Sequence, residues 1–494
     1  MAQPTDEQAL AVEKFKTGRA LKITAFAGTG KTTTLIQMSR TRPSRGLYLA
    51  FNKAIAVEAK KKFPATVECR TIHSLAFGSV RRSYRSPEKL ADTLYPQTLA
   101  QSARKPLRDF GPNLRLNSIQ QAHLLLATIK RFCQSMDPEI GTGHVPQIGR
   151  LQAEDGATLG EVRTWAVKAA KAIWQRMIDR NDELPMGHDG YLKLWTLQEP
   201  KLNAEYVLLD EAQDTNQVVL GLLQRQPCQI VYVGDRYQQI YEWRGAVNAM
   251  EQLVGCDEAS LTQSFRFGAP IARAASLVLN MLGEKQTLRG NPDVDSSVVI
   301  ESTPTRAILA RTNAALIVEL LGAVRSRKRP FIVGGTGELA RLLTDAAELK
   351  KGNPSTAPEL FGFRNWQEVA DFADTEEGEG IRTFVQLVQQ HDEHTLLNVV
   401  QNTHGDENTA HLILSTAHKA KGREWESVRL ARDFAKAGAD GKRAFNEAES
   451  RLFYVAMTRA KRYLAVDAEQ LTHFTLEPGD GSTRKRLWKR VRQK

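Results

Sequence analysis

Apolar runs of four to seven residues recur along the chain, each giving way to small or polar residues and then to a helical pattern. LKITAFA (21–27) runs into GTGKTTTLIQM, and LYLAF (47–51) runs into KAIAVEAKKKF. YVLLDEAQD (206–214) and QIVYVGD (229–235) each end in acids, and AILART (307–312) and AHLILSTAHKAKG (410–422) repeat the theme much later. Short continuous apolar runs alternating with 3.6-period segments predict buried strands in parallel α/β sheets. Two such blocks, each interrupted by an insert, fit this order better than one long sheet. The first insert, from about 80 to 190, reads as helical and basic. There VRTWAVKAAKAIWQRMIDR places Trp165, Ala169, Ile173 and Met177 on one helix face, which predicts packing for Trp165 and Trp174 rather than base stacking. The second, about 335–400, holds a helical segment and an acidic run (Asp371, Asp374, Glu376, Glu377, Glu379).

Composition changes this picture little. The 494 residues suggest roughly three domain-sized units. A hydrophobic fraction of 41% with 25% charged residues is ordinary for a globular protein. No run approaches the ~20 apolar residues of a membrane span, and the polar start MAQPTDEQALAVEKF lacks the apolar segment of a secretory signal. No membrane partner and a cytoplasmic location are therefore expected. Cys69, Cys133, Cys228 and Cys256 are too scattered for a disulfide framework or a zinc site. Net charge is +12, which favours polyanionic partners. Part of it is local: Arg484, Lys485, Arg486, Lys489, Arg490, Arg492 and Lys494 form a basic tail, either a nucleic-acid contact or a solvated, frayed end.

AFAGTGKTT has the form of a phosphate cradle. Gly28 and Gly30 let the backbone wrap phosphate at a helix N-terminus, Lys31 can reach the β- and γ-phosphates, and the Thr32 hydroxyl can bind Mg²⁺. The generic pattern has Gly six residues before the Lys, where this chain has Ala25. Asp210, at the end of VLLD, is placed to hold Mg²⁺, and Glu211 beside it can orient and deprotonate the attacking water. In VGDRYQQIYEWRGA, Gln238 could sense the γ-phosphate, while Tyr241, Trp243 and Arg244 form an aromatic and cationic cluster suited to stacking bases. Arg266 in LTQSFRF and Arg459 in RLFYVAMTRAKRYL could meet the charge that develops in phosphoryl transfer.

In order, AFAGTGKTT, AFNKAIA, TIHSLAF, LLDEAQD, VGDRYQQIYEWRGA, LTQSFRF, LSTAHKAKGREWESV and FYVAMTRAKRYL resemble the motifs of superfamily 1 helicases of the UvrD-like branch, which includes UvrD, Rep and PcrA. The AFNK and HKAKGREW spellings look closest to the motor core of the F-box DNA helicases. The resemblance runs from about residue 5 to 470. It implies an α/β fold of two RecA-like P-loop domains with parallel sheets, each carrying an inserted, mainly helical subdomain. The expected division is 1–78 and 191–262 (domain 1A), 79–190 (insert 1B), 263–334 and 401–475 (domain 2A), 335–400 (small insert 2B) and 476–494 (basic tail). Ala25 is common in that branch.

Residue by residue, the resemblance implies that Gln8 in PTDEQ reads adenine. Gly28, Thr29, Gly30, Lys31, Thr32 and Thr33 would hold the nucleotide, with Thr32 and Asp210 on the metal. Gln238 would couple the γ-phosphate to the cleft, and Arg266 and Arg459 would arrive from the second domain. Phe265 stands where the family usually has a Tyr stacking on adenine, and Glu424 matches the acid that approaches the ribose. Thr33 replaces an Arg found in many bacterial members. For the strand, the resemblance nominates Asn52, Thr71, His73, Trp243, Arg244, Thr416 and His418; by itself His418 could equally be a core or hydrogen-bonding residue.

The activity so implied is an ATP- and Mg²⁺-dependent translocase on single-stranded DNA that unwinds duplexes with 3′-to-5′ polarity. Its partners would be single-stranded DNA, junctions and proteins of DNA repair, replication or recombination. The short second insert leaves room for an alternative, a DNA-stimulated ATP switch or loading subunit that does not unwind. A plain P-loop kinase or GTPase would not account for the ordered motifs.

Overall fold

The computed structural model describes residues 3–86, 88–102, 116–148, 156–240, 249–299, 305–355, 357–375, 378–434 and 443–467, with a few single positions and Lys436–Ala437 between or after them. Trp243, Arg244, Tyr241 and the basic tail lie outside the described residues.

Both expected sheets are present, each of six strands and wholly parallel. The first comprises β1 (Leu21–Ala25), β2 (Gly46–Leu49), β3 (Val67–Arg70), β4 (Tyr206–Leu209), β5 (Gln229–Gly234) and β6 (Asp257–Leu261), in the order β3-β2-β4-β5-β1-β6. The second comprises β7 (Ser297–Val299), β8 (Ala307–Ala310), β9 (Pro330–Ile332), β10 (Leu412–Thr416), β11 (Trp425–Leu430) and β14 (Ala460–Ala465), in the order β7-β14-β11-β8-β10-β9. A two-residue hairpin ladder, β12 (Lys436–Ala437) with β13 (Arg443–Ala444), lies between β11 and β14 in the chain. Strands β2, β4, β5, β8 and β10 are buried at every position, as central parallel strands covered on both faces must be.

The order β4-β5-β1 decides the site. It brings the carboxyl ends of three strands side by side although Lys31 and Asp210 are 179 positions apart, and ligands of parallel sheets bind at such ends. The halves meet through a common core. Phe26, Ala27, Tyr237 and Ile240 from the first pack with Phe267, Phe453 and Tyr454 from the second.

The two inserts differ. Segment 79–190 has its own core, in which Leu124, Leu125, Phe132, Val162, Ala166 and Trp174 interlock. Two buried lysines pin it: Lys89 donates to the carbonyls of Asp182 and Leu184, and Lys193 to those of Ser135 and Asp137 at 2.7 Å. The buried stripe of helix Gly156–Ile178 is Val162, Ala166, Ala170, Trp174 and Met177, one position round from the expected Trp165, Ala169, Ile173 and Met177. Met177 belongs to both stripes, while Trp165, Ala169 and Ile173 flank the buried one, half-buried, with Trp165 edge-on to Phe110. Both stripes repeat at i, i+4, so only the packing against helix Ser118–Gln134 chooses between them.

Among the described residues, segment 335–400 has no separate core. Leu339, Leu343, Val369, Phe384 and Leu396 share one hydrophobic cluster with Ile308, Leu320, Leu412 and Leu414 of the second sheet layer.

Candidate functional site

The loop after β1 turns into helix Lys31–Thr41 through two left-handed glycines, Gly28 (φ +75°) and Gly30 (φ +77°). Gly30 is the N-cap and supplies no side-chain acceptor, so the first-turn N–H groups point outward at the positive end of the helix. A Cβ on Gly28 would sit 2.6 Å from Ser264 Oγ and 2.7 Å from Arg266 Cβ, so the loop carrying Arg266 lies directly against the cradle. A Cβ on Gly30 would lie 3.1 Å from Gln8 Nε2 and 3.4 Å from the Phe265 ring. Gln8 and Phe265 therefore flank one end of the cradle. Gln8 is fixed by the capping box with Thr5 and donates to Thr34 Oγ1 at 3.2 Å, while Phe265 is 46% exposed. Thr29 Oγ1 ties back to the Phe26 carbonyl, and Thr33 is exposed on the helix.

Across from the cradle, Asp210 Oδ2 accepts from both Thr32 Oγ1 and Tyr48 Oη at 2.8 Å. The Lys31 ammonium is 3.2 Å from Glu211 Oε1. Glu211 holds a left-handed backbone (φ +53°), a costly conformation for a residue with a Cβ, and Gln213 Nε2 donates to its carboxylate at 2.6 Å. Burial and the neighbouring Glu211 push the Asp210 carboxyl upward. Burial acts on Glu211 in the same sense, but Lys31 and Lys421 outweigh it and hold this carboxyl down to about 2. Lys31 is raised: burial opposes its charge, and Glu211, Asp210 and Asp235 more than restore it. Lys31 and Lys421 thus favour the ionised form of Glu211 beside the cradle.

Arg459 reaches the same cleft from the second half. It is 2% exposed, and its guanidinium donates only to neutral oxygens: Val455 O (2.8 Å), Thr458 Oγ1 (3.0 Å), Gln238 Oε1 and Arg423 O (both 3.3 Å). Among the described residues it has no ion pair. Burial, then the nearby Arg266, depress its affinity for the proton. A buried cation without a carboxylate is costly unless an anion meets it. Arg266 is held differently, by Glu424 Oε2 (2.7 Å) and the Thr458 carbonyl (3.0 Å), and Glu424 also pairs with Lys461 (2.9 Å).

Several contributors carry no mark in the sequence. Asp235, visible only as the acid closing QIVYVGD, is fully buried and accepts from Gln238 Nε2 (2.8 Å) and Tyr454 Oη (2.9 Å). Tyr454 in turn accepts from the Ala27 amide of the cradle. Nothing in the spacing of Tyr48 or Tyr454 distinguishes them: the pairing of β2 with β4 brings Tyr48 to Asp210, and the docking of the two halves brings Tyr454 to Asp235.

The residues nominated for the strand fall at strand–helix junctions. Asn52, Thr71 and Thr416 are N-caps, each accepting from the third residue on: Ile55 (2.9 Å), Ser74 (3.2 Å) and Lys419 (3.4 Å). Asn52 and Thr71 follow β2 and β3, and Thr416 is the last residue of β10, so three helix N-termini open at the carboxyl edges of the sheets. His73, part exposed, lies 3.5 Å from Asp189 of the first insert. Thr416, His418 and Lys419 line a cavity of about 340 Å³ together with Arg311 and Asn313, two residues that no sequence motif points to.

The family description "UvrD/REP helicase N-terminal domain" matches residues 4–253, and "UvrD-like helicase C-terminal domain" matches residues 360–470. F-box DNA helicase 1 of Gallus gallus is 30% identical over 96% of this chain and 50% of its own length. F-box DNA helicase protein 1 of Schizosaccharomyces pombe is 30% identical over 96% of this chain and 58% of its own. A probable DNA helicase II homolog of Mycoplasma genitalium is 24% identical over 51% of the chain and 39% of its own. The chain thus spans half the length of the first of these relatives and 58% of the second. Among the described residues no helix is long and apolar enough to cross a membrane. With both halves matched in order and the P-loop, Asp-Glu and arginine elements converging on one cleft, the chain belongs to the UvrD-like helicase family.

Proposed function

We propose that this chain hydrolyses ATP with Mg²⁺ in the cleft between its two sheets and uses the cycle to move along single-stranded DNA and unwind duplexes, 3′ to 5′. The observation that carries the reading is Arg459, a buried cation that donates only to neutral oxygens, Gln238 Oε1 among them, with the Glu211 and Asp235 carboxylates near enough to act on its charge. A γ-phosphate is the anion this arrangement lacks.

In this reading Gly28, Thr29, Gly30 and Lys31 hold the phosphates, Gln8 and Phe265 hold the base, Thr33 borders the nucleotide, and Glu424 takes the ribose. The contact between Thr32 and Asp210 suits them to hold Mg²⁺, which would neutralise phosphate charge during transfer. Glu211, ionised and oriented by Gln213, accepts the proton of the attacking water. Arg459 and Arg266 meet the developing charge, so turnover requires the halves to be together. Asn52, Thr71 and Thr416 present helix N-termini to strand phosphates, with His73 and His418 beside them. Trp243 and Arg244 serve as the stacking pair. Junction DNA and proteins of repair, replication or recombination are the proposed partners.

Steady-state ATPase with and without single-stranded DNA, paired with strand displacement from 3′- and 5′-tailed duplexes, tests the whole. Hydrolysis indifferent to DNA would refute the motor, and displacement from the 5′ tail alone would refute the polarity. Lys31→Ala and Glu211→Gln should abolish turnover, with Glu211→Gln still binding ATP. A second reading, a DNA-stimulated switch that does not unwind, draws support from segment 335–400, whose helices are fused into the core of the second half. Stimulated ATPase with neither displacement nor translocation would favour it.

A further inference from the structure

In the first insert, helices Ser118–Gln134 and Gly156–Ile178 pack side by side, and the single turn Thr142–His144 lies against both. Where they meet, a cavity of about 380 Å³ opens, lined by Arg131, Arg163, Thr142, Gly143, Val145 and Gln147. Two guanidinium groups face it, and none of its described lining residues is acidic. Other cations of the insert are paired, Arg176 with Asp182 at 2.8 Å and Lys171 with Glu139 at 2.7 Å, and those without an ion pair among the described residues, such as Lys168, do not line this cavity. Among the described residues neither Arg131 nor Arg163 makes an ion pair, and Arg163 Nε is shut from solvent without a hydrogen-bond partner. Arg131 is exposed as a residue, yet partial burial of its guanidinium end pulls it below its ordinary proton affinity.

A buried N–H without an acceptor is unfavourable until something accepts from it. Forked guanidinium donors suit an anion with several oxygens, and the Thr142 hydroxyl adds a further donor. The shape narrows the choice. Arg131, Thr142, Gly143 and Gln147 are exposed, while Val145 is buried beneath them. The cavity therefore suits a phosphate carried on a chain that stays mostly outside, rather than an engulfed small molecule. None of the cleft residues lines it, so it is separate from the nucleotide site.

We propose that Arg131 and Arg163 form a phosphate site on the helical insert that takes a backbone phosphate of DNA. The proposal rests on the DNA-motor reading. It gives the chain a hold on DNA outside the cleft.

The test is DNA affinity by fluorescence anisotropy over a salt series, for a single-stranded oligonucleotide and a 3′-tailed duplex. The proteins compared are the wild type, Arg131→Gln/Arg163→Gln and Arg131→Lys/Arg163→Lys. The glutamine variant should bind the tailed duplex about ten-fold more weakly at low salt. Its log–log salt slope should be less negative by about 1, the change expected when one DNA phosphate is no longer neutralised by the protein. The lysine variant should keep most of the slope, and ATPase without DNA should be unchanged in both. Should the double glutamine variant fold poorly, the exposed Arg131→Gln alone supplies the same readout. An unchanged slope on both DNAs, with normal wild-type binding, overturns this site and leaves the motor reading standing. A wild type that binds neither DNA overturns both. Inorganic phosphate that binds the wild type but not the glutamine variant, with no difference in DNA slope, would assign the cavity to a free anion and also overturn the proposal.

Discussion

Lys421 and Asp214 bridge the cleft: the ammonium donates to the carboxylate at 2.7 Å and also to the Gln238 carbonyl, with both side chains buried. Lys421 stands three residues after His418, and Asp214 three after Glu211. The pair therefore ties the segment nominated for DNA to the segment nominated for hydrolysis. Lys421→Ala would leave Asp214 buried and unpaired, a change that typically costs about 3–5 kcal/mol where a buried pair is broken. The expected outcome is at least a ten-fold loss of DNA-stimulated ATPase with ATP binding retained, because the cradle around Lys31 is untouched. An unchanged rate would make the bridge a passive contact.

Asp214 also predicts a pH dependence. Burial pushes its carboxyl up to about 6, although Lys421 opposes the shift. The folded pKa exceeds the unfolded value of about 3.9, so the folded form binds this proton more tightly. Stability from the group is present at low pH and is lost as pH rises through about 6, a change of up to about 3 kcal/mol. Denaturant titrations of wild type and Asp214→Asn at pH 5 and pH 7.5 check this. The wild type should lose stability relative to the variant over that interval, and parallel curves would count against it.

Gly28 and Gly18 have nearly the same left-handed backbone, at φ +75° and +79°, but different surroundings. A Cβ on Gly28 collides with Ser264 and Arg266, whereas nothing lies within 4 Å of one on Gly18. Both alanine variants should lose about 1–2 kcal/mol from backbone strain. Only Gly28→Ala should also force the halves apart and cut ATPase activity more than ten-fold. Equal activity in the two variants would mean that the contact between the cradle and the Arg266 loop does not govern turnover.

Phe361 belongs by sequence to segment 335–400 yet is fully buried in the core of the first insert, its ring 5.5 Å from that of His123. Beside it, Gln120 Nε2 donates to the Ser355 carbonyl at 3.2 Å. Phe361→Ala should cost about 3–5 kcal/mol through the cavity it leaves. Hydrogen exchange should then speed up in the first turns of helix Ser118–Gln134 and not in helix Lys31–Thr41. Uniform acceleration would show that the insert is not separately anchored here.

Much of the site is legible without the fold. Lys31, Thr32, Asp210 and Glu211 lie in short strings whose chemistry is local: a glycine loop needs its glycines in sequence, and an acid at the end of an apolar strand is visible as such. Asn52, Thr71 and Thr416 are legible as positions to watch but not as caps at three strand ends. Tyr48, Asp214, Asp235, Tyr454 and Lys421 have no role legible in the sequence, because each acts through a partner far along the chain. Trp165 shows the same limit on a smaller scale, since two adjacent i, i+4 stripes compete and only the neighbouring helix selects the buried one.

The sequence by itself determined the alternation of buried strands and helices, the glycine loop after the first strand and the acids that end the fourth, because these depend on residues within one turn or strand end. Only the tertiary structure decided that Arg459 would be a buried cation without a carboxylate, that Arg266 would rest on Glu424, and that Lys421 would close on Asp214. It also decided that segment 335–400 would merge with the second core. Those relationships depend on strand order and on the docking of two halves, where desolvation makes each pairing or missing partner count far more than it would in water.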